Sequence, residues 1–154
     1  MPLVGVVIGS KSDMDAIQPA LDILKGFNID YEINVISAHR TPDKARKYGL
    51  EAREKGLEVL IAAAGAAAHL PGVLASWTTL PVIGVPLAGS ELKGLDSLYA
   101  IVQMPAGIPV ATMAIGTAGV KNSAYLAAEI LGIKYPVIQK AYDSYRKDLQ
   151  GENK

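Results

Sequence analysis

Leu3-Val4-Gly5-Val6-Val7-Ile8, followed at once by Gly9-Ser10-Lys11-Ser12-Asp13, is the stretch that decides the fold. The first six residues are apolar without alternation, the pattern of a strand buried on both faces. The next five break the run with glycine, hydroxyls and charge. Beyond them Ile17, Ala20, Leu21, Leu24 and Phe27 recur at helical spacing. Ser12 or Asp13 is placed to cap that helix, and Gly26 falls near its end. A doubly covered strand followed by a helix is the repeating unit of a parallel sheet.

The same unit recurs outward from this stretch. Residues 31–36 read as the second strand, and residues 42–55 as a helix closed by Gly56. Between them lies Ser37-Ala38-His39-Arg40-Thr41-Pro42, with Thr41-Pro42 as an N-cap and first-turn pair. Residues 57–64 form the third strand. Gly65-Ala66-Ala67-Ala68-His69-Leu70-Pro71-Gly72 leads from it into a short helix at about residues 71–76. The fourth strand is 82–85, stopped by Pro86, and a helix follows at 95–104. The fifth strand is 110–115, with an alanine-rich helix at 120–131. A last amphipathic helix, 135–149, carries the stripe Ile138, Ala141, Tyr142, Tyr145 and Leu149, and Gly151 to Lys154 form a tail. Five βα units predict an α/β, three-layer αβα sandwich. Its parallel five-stranded sheet has flavodoxin-like order 2-1-3-4-5, with a C-terminal helix added. One domain spanning residues 1–154 is expected.

Composition narrows the function. The 154 residues are 50% hydrophobic and 19% charged, which excludes a disordered chain. Lys plus Arg and Asp plus Glu number 15 each, so no basic surface for nucleic acid or a membrane is implied. There is no cysteine, which removes disulfides and thiolate metal sites. No carboxylate pair or His/Glu spacing indicates a metal. The first residues carry no basic segment and no apolar run is long enough to span a bilayer, so a cytoplasmic location is expected.

The chemistry collects in the loops that follow strands. These carry Ser10, Ser12, Asp13, Ser37, His39, Arg40, Gly65 and His69, including both histidines of the chain. The loops that precede strands carry ordinary turn residues, Asn28, Asp30 and Gly56, with Glu58. In a parallel sheet all the former lie at the carboxyl edge, where open α/β sheets bind ligands. Imidazole exchanges a proton near neutral pH. Guanidinium presents a fork of donors to phosphate. The first loop is neither a Walker A nor a G-x-G-x-x-G loop, yet its hydroxyls and helix-start amides suit phosphate. Asp13 there suits ribose hydroxyls. The Gly and Ala run 62–68 allows either tight packing or close approach of backbone to a ligand. His69 precedes Leu70-Pro71, a setting in which its backbone serves more naturally than its ring. A flavodoxin-like module holding FMN or a nucleotide without chemistry is the competing reading. Against it, no aromatic pair is placed to sandwich a flavin, and the lone Trp77 lies in a helical stretch.

Gly9-Ser10-Lys11-Ser12-Asp13, residues 37–42, residues 67–72, residues 80–86, Asp96-Ser97-Leu98-Tyr99 and Val102-Gln103-Met104-Pro105, taken together and in this order, resemble the PurE family. The similarity extends over about residues 4–131. His69-Leu70-Pro71-Gly72 is like the loop of the class that acts as N5-carboxyaminoimidazole ribonucleotide mutases. The carboxylases of the family that take CO2 directly differ there and typically have Lys in place of Arg40. Such a carboxylase is the third reading. Ala63 and Ala66 stand where the family often has Gly, and Gly89-Ser90-Glu91 departs from its usual loop.

The resemblance implies a mutase of purine biosynthesis that converts N5-carboxyaminoimidazole ribonucleotide to its C4-carboxy isomer through transient CO2. It implies His39 as proton donor and acceptor, and phosphate held by Arg40, Ser12 and Ser37. Ser10 and Asp13 would orient the substrate. Gly65, His69 and Leu70 would line the pocket that retains CO2. It further implies no metal or organic cofactor and a homo-octamer, with the helix at 135–150 packing on a neighbouring subunit.

Overall fold

The structure, a computed structural model, describes residues 1–151; of the expected tail, residues 152–154 lie outside them. The strands are β1 Val4–Ile8, β2 Tyr31–Val35, β3 Val59–Ala64, β4 Val82–Pro86 and β5 Ala111–Thr112. The helices are α1 Met14–Gly26, α2 Pro42–Glu51, α3 Leu70–Trp77, α4 Leu95–Val102, α5 Thr117–Gly132 and α6 Pro136–Gln150. The sheet order is β2-β1-β3-β4-β5 and every pairing is parallel. This is the flavodoxin-like order that the repeating βα pattern predicts.

Burial explains why the apolar runs became strands. Every residue of β1, β3 and β4 is buried, as the central strands of a doubly covered sheet must be. On one face Val4, Val6, Ile8, Ile61 and Ile83 pack with Ile17 and Leu24 of α1 and Val120, Ala124 and Leu131 of α5. On the other face Val7, Leu60 and Ala62 meet Ala45 and Tyr48 of α2, Leu70 and Leu74 of α3, and Ile101 of α4. Each fully buried Leu or Ile contributes about 1.5–3 kcal/mol, so the two layers of apolar contact hold the sheet between its helices. Gly5 is required by close approach: a Cβ there would collide with the Tyr48 hydroxyl and lie 2.8 Å from Leu60 Cδ2.

Two elements fall short of expectation by four residues each, for physical reasons. The fifth strand has two residues, not the six of 110–115. Met113 N still donates to Gly84 O, but the next rung needs an N–H from Pro86, which has none. The Pro86 carbonyl accepts instead from Gly116 N at 2.9 Å, and the ladder ends. Helix α2 stops at Glu51, four residues early, and loosens into turns that end on Gly56 at φ 85°.

Most of the stripe on α6 packs within the chain. Ile138 is buried, and Tyr142 and Tyr145 gather around Phe27 with Tyr125 of α5, whose ring stacks on Tyr145 at 4.7 Å. Val137 and Leu149 remain exposed. Among the described residues no helix is long and apolar enough to cross a membrane.

Candidate active site

The parallel sheet brings the ends of β1, β2, β3 and β4 to one edge, and a cleft of about 290 Å³ opens there. Its lining includes Ser10, Asp13, Ser37, His39, Arg40, Gly65, His69 and Leu70. β1 and β3 are neighbours while β2 lies outside β1, so the cleft sits where the strand order reverses.

The β1 loop is shaped by its own polar groups. Ser10 Oγ accepts from Ser12 N at 3.4 Å, and Asp13 Oδ2 accepts from Ser10 N at 3.1 Å, a reciprocal capping box. Asp13 occupies the N-cap position of α1, as expected, but its side chain makes no cap bond there; the side-chain cap is that of Ser10, on a 3-10 turn, Lys11–Asp13, that precedes α1. Ser12 stands outside the cleft lining, and its hydroxyl donates to Ser10 Oγ at 3.0 Å. With two donors on its oxygen, Ser10 keeps its own O–H for a ligand. Burial raises the Asp13 carboxyl above its usual range, and the Ser10 N–H opposes that.

The β2 loop closes on itself. Thr41 occupies the N-cap position of α2, yet its hydroxyl does not cap the helix. It donates to Ser37 O at 2.9 Å and accepts from Ser37 N at 3.1 Å. Ser37 Oγ accepts from Arg40 N at 3.1 Å and, more weakly, from Arg40 Nε at 3.4 Å. The turn thus presents the Ser37 O–H and the rest of the Arg40 guanidinium toward the same space. Both are donors suited to an anion.

The β3 loop delivers the second imidazole. His69 Nδ1 lies 2.7 Å from His39 Nε2, with the rings edge to face at 83°. The expectation that His69 serves through its backbone is thus corrected: its ring meets His39, although His69 O does accept from Val73 N in α3. One of the facing nitrogens must donate and the other accept, so each ring constrains the tautomer of the other. Leu70 is buried at the start of α3, and Gly65 lies against the β4 end, where a Cβ would be 3.5 Å from Leu87 O.

Gly9, Ala38, Ala64, Ala66, Ala67, Leu87 and Gly89 complete the lining. Leu87 was not singled out by motif, and Gly89 only as part of a loop that departs from the family's; the available signal was that this loop follows a strand and so shares the edge. Among the described residues no group of three or more His, Asp or Glu is placed to hold a metal.

Fold and site together define a class: a doubly wound α/β domain whose switch-point cleft sets an imidazole pair beside anion donors. The family model for AIR carboxylase matches residues 3–152, and the chain belongs to that family. It is 56% identical over 152 residues to the N5-carboxyaminoimidazole ribonucleotide mutase of Thermotoga maritima, covering 99% of this chain and 88% of that one. To the enzyme of the same name from Pyrococcus horikoshii it is 57% identical over 149 residues, covering 97% and 83%. The crystal structure of Treponema denticola PurE superposes with a TM-score of 0.87 at 28% identity, covering 99% of this chain and 94% of that one.

Proposed function

We propose that the chain is an N5-carboxyaminoimidazole ribonucleotide mutase of purine biosynthesis, with His39 as its proton donor and acceptor. The observation that carries the reading is the His39–His69 pair at 2.7 Å, set in one cleft with Arg40 and Ser37. Moving a carboxylate from the exocyclic nitrogen to ring carbon C4 needs two proton transfers. As the N–CO2 bond breaks, the nitrogen takes a proton from the imidazolium of His39, leaving aminoimidazole ribonucleotide and CO2. C4 then attacks CO2, and its proton passes to the neutral imidazole. Atoms and charge return to where they began, as an isomerisation requires.

The remaining roles follow from donors and space. Arg40 and Ser37 hold the phosphate, and Ser12 acts at one remove through the Ser10 hydroxyl. Ser10 and Asp13 orient the substrate, with Asp13 toward the ribose. Gly65, His69 and Leu70 keep CO2 from water while the carbon nucleophile forms its bond. The test compares turnover of the N5-carboxy substrate with turnover of aminoimidazole ribonucleotide plus bicarbonate, against an enzyme-free control for spontaneous decarboxylation. Faster turnover of the N5-carboxy substrate is expected. Faster turnover with bicarbonate would assign a direct-CO2 carboxylase instead.

The protein acts in the cytoplasm as a homo-octamer in this reading. Leu92, Leu95, Tyr99 and Val102 recur along α4 and the turn before it, and all are exposed in the single chain. With Val137 and Leu149 of α6 they offer apolar surface to neighbouring copies. Light scattering that finds a monomer would overturn the assembly.

A further inference from the structure

Three non-glycine residues among those described hold a positive φ: Asn28 at 55°, Lys93 at 52° and Ala66 at 51°. Asparagine reaches this region through local hydrogen bonds, whereas alanine meets its own carbonyl there. Of the three, Ala66 alone lines the cleft. The backbone after it is tight. Ala68 N donates to Ala66 O at 2.8 Å, and His69 N donates to Ala67 O at 2.7 Å. These are two successive three-residue turns. Val73 N then closes on His69 O at 2.9 Å and α3 has begun. No slack separates the bend at Ala66 from the ring at residue 69.

We propose that Ala66 is a positioning residue: its left-handed backbone turns the chain out of β3 so that the His69 ring meets His39. The proposal rests on the reading of His39 as the proton-transfer group and adds what holds that group in register. A disfavoured conformation persists only where its surroundings fix it, and here the two turns and the helix start do so. If Ala66 left this region, the carbonyls of residues 66 and 67 would rotate, the turns would open, and His69 would swing away from His39.

The test separates backbone from bulk. Glycine and asparagine accept φ near +50°, whereas β-branched valine does not. The readout is the 15N–15N coupling across the His39 Nε2–His69 Nδ1 hydrogen bond, read by NMR on 15N-labelled protein. The wild type should show it, since the two nitrogens lie 2.7 Å apart. Ala66→Val should lose it and lower turnover about tenfold or more. Calorimetric binding of aminoimidazole ribonucleotide should stay close to wild type, because its phosphate donors sit on the β2 loop. Ala66→Gly and Ala66→Asn should keep the coupling. A coupling that persists in the valine variant, or is lost in the glycine or asparagine variant, overturns the proposal. Should the valine variant fail to fold, the other two still decide. A valine variant with uncoupled rings and full turnover overturns it as well, since the placement would then serve no chemistry. His39→Asn in the same assay keeps the ideas apart: full activity there sinks the proton-transfer reading whatever Ala66 does.

Discussion

The two edges of the sheet are built from similar residues and use them oppositely. At the amino edge, Glu58 accepts from Lys134 Nζ at 2.6 Å and from the Tyr135 hydroxyl at 2.5 Å. One carboxylate there ties the start of β3 to the turn between α5 and α6. At the carboxyl edge, Ser10, Ser37, Arg40 and Thr41 bond mainly within their own loops; the His39–His69 pair bridges two loops, and a cleft stays open beside it. Polar groups at the first edge join elements, and most of those at the second shape a surface for something else. The contrast teaches that a site is recognised by what its polar groups leave unjoined. It also predicts that substitutions at the two edges have different readouts.

The largest effect is expected from His39→Asn. Asparagine keeps size and hydrogen bonding but cannot take up a proton near neutral pH. Asp13, the only carboxylate among the lining residues, is already engaged by Ser10 N. Turnover should fall by about 10²–10⁴-fold with the melting temperature unchanged. A variant retaining more than about a tenth of wild-type turnover would show that another group carries the proton.

Arg40→Ala comes next. The side chain is exposed and bonds only weakly to Ser37, so folding should not notice its loss. Loss of charge-assisted phosphate contacts should weaken ribonucleotide binding by about 1.5–3 kcal/mol. Calorimetry that finds wild-type affinity would remove Arg40 from the phosphate site and blur the contrast between the edges.

Gly5→Ala probes the interior near the other edge. Its methyl would press on Tyr48 and Leu60, and overpacking of this kind costs about 1–3 kcal/mol. Chemical denaturation should report that loss, while turnover per folded molecule stays at the wild-type level. A drop in turnover without a drop in stability would mean that the edges are coupled through β1.

Glu58→Gln should have the smallest effect. Burial alone would raise the Glu58 carboxyl, but the Lys134 and Tyr135 hydrogen bonds and the Lys134 charge outweigh it, and its pKa is lowered. A lowered folded pKa stabilises above the unfolded value and loses that contribution as pH falls through the folded one. The wild type should therefore melt higher than the variant at neutral pH, by on the order of 1–2 °C for so solvated a pair. The gap should close as the pH drops below the ordinary glutamate range of about 4.3. A gap that widened in acid would reverse the assigned sign.

Most of the fold was legible because its determinants are local. The unbroken apolar runs of β1 and β3, the helical spacing from Ile17 to Phe27, and Gly56 as a stop each act within a few residues. The histidines stood out at the carboxyl edge because no turn required them there, and the serines because they gathered on the same loops. Contacts between distant residues were illegible. His39 and His69 are 30 residues apart, and only the order β2-β1-β3 with the bend at Ala66 brings their rings together. The short β5 was hidden for a similar reason, since the missing N–H belongs to a different strand. The Thr41 hydroxyl had two partners within reach, a helix start and Ser37, and sequence spacing does not choose between them.

That last choice has a thermodynamic consequence. With Thr41 holding both backbone groups of Ser37, the end of β2 and the start of α2 are joined by a clasp that exists without a ligand. A loop that must be ordered on binding loses conformational entropy, and affinity falls accordingly. Here the turn that carries His39 and Arg40 is ordered during folding. The substrate meets donors already in place, so the entropy of arranging them is a term in the stability of the protein and not in its affinity.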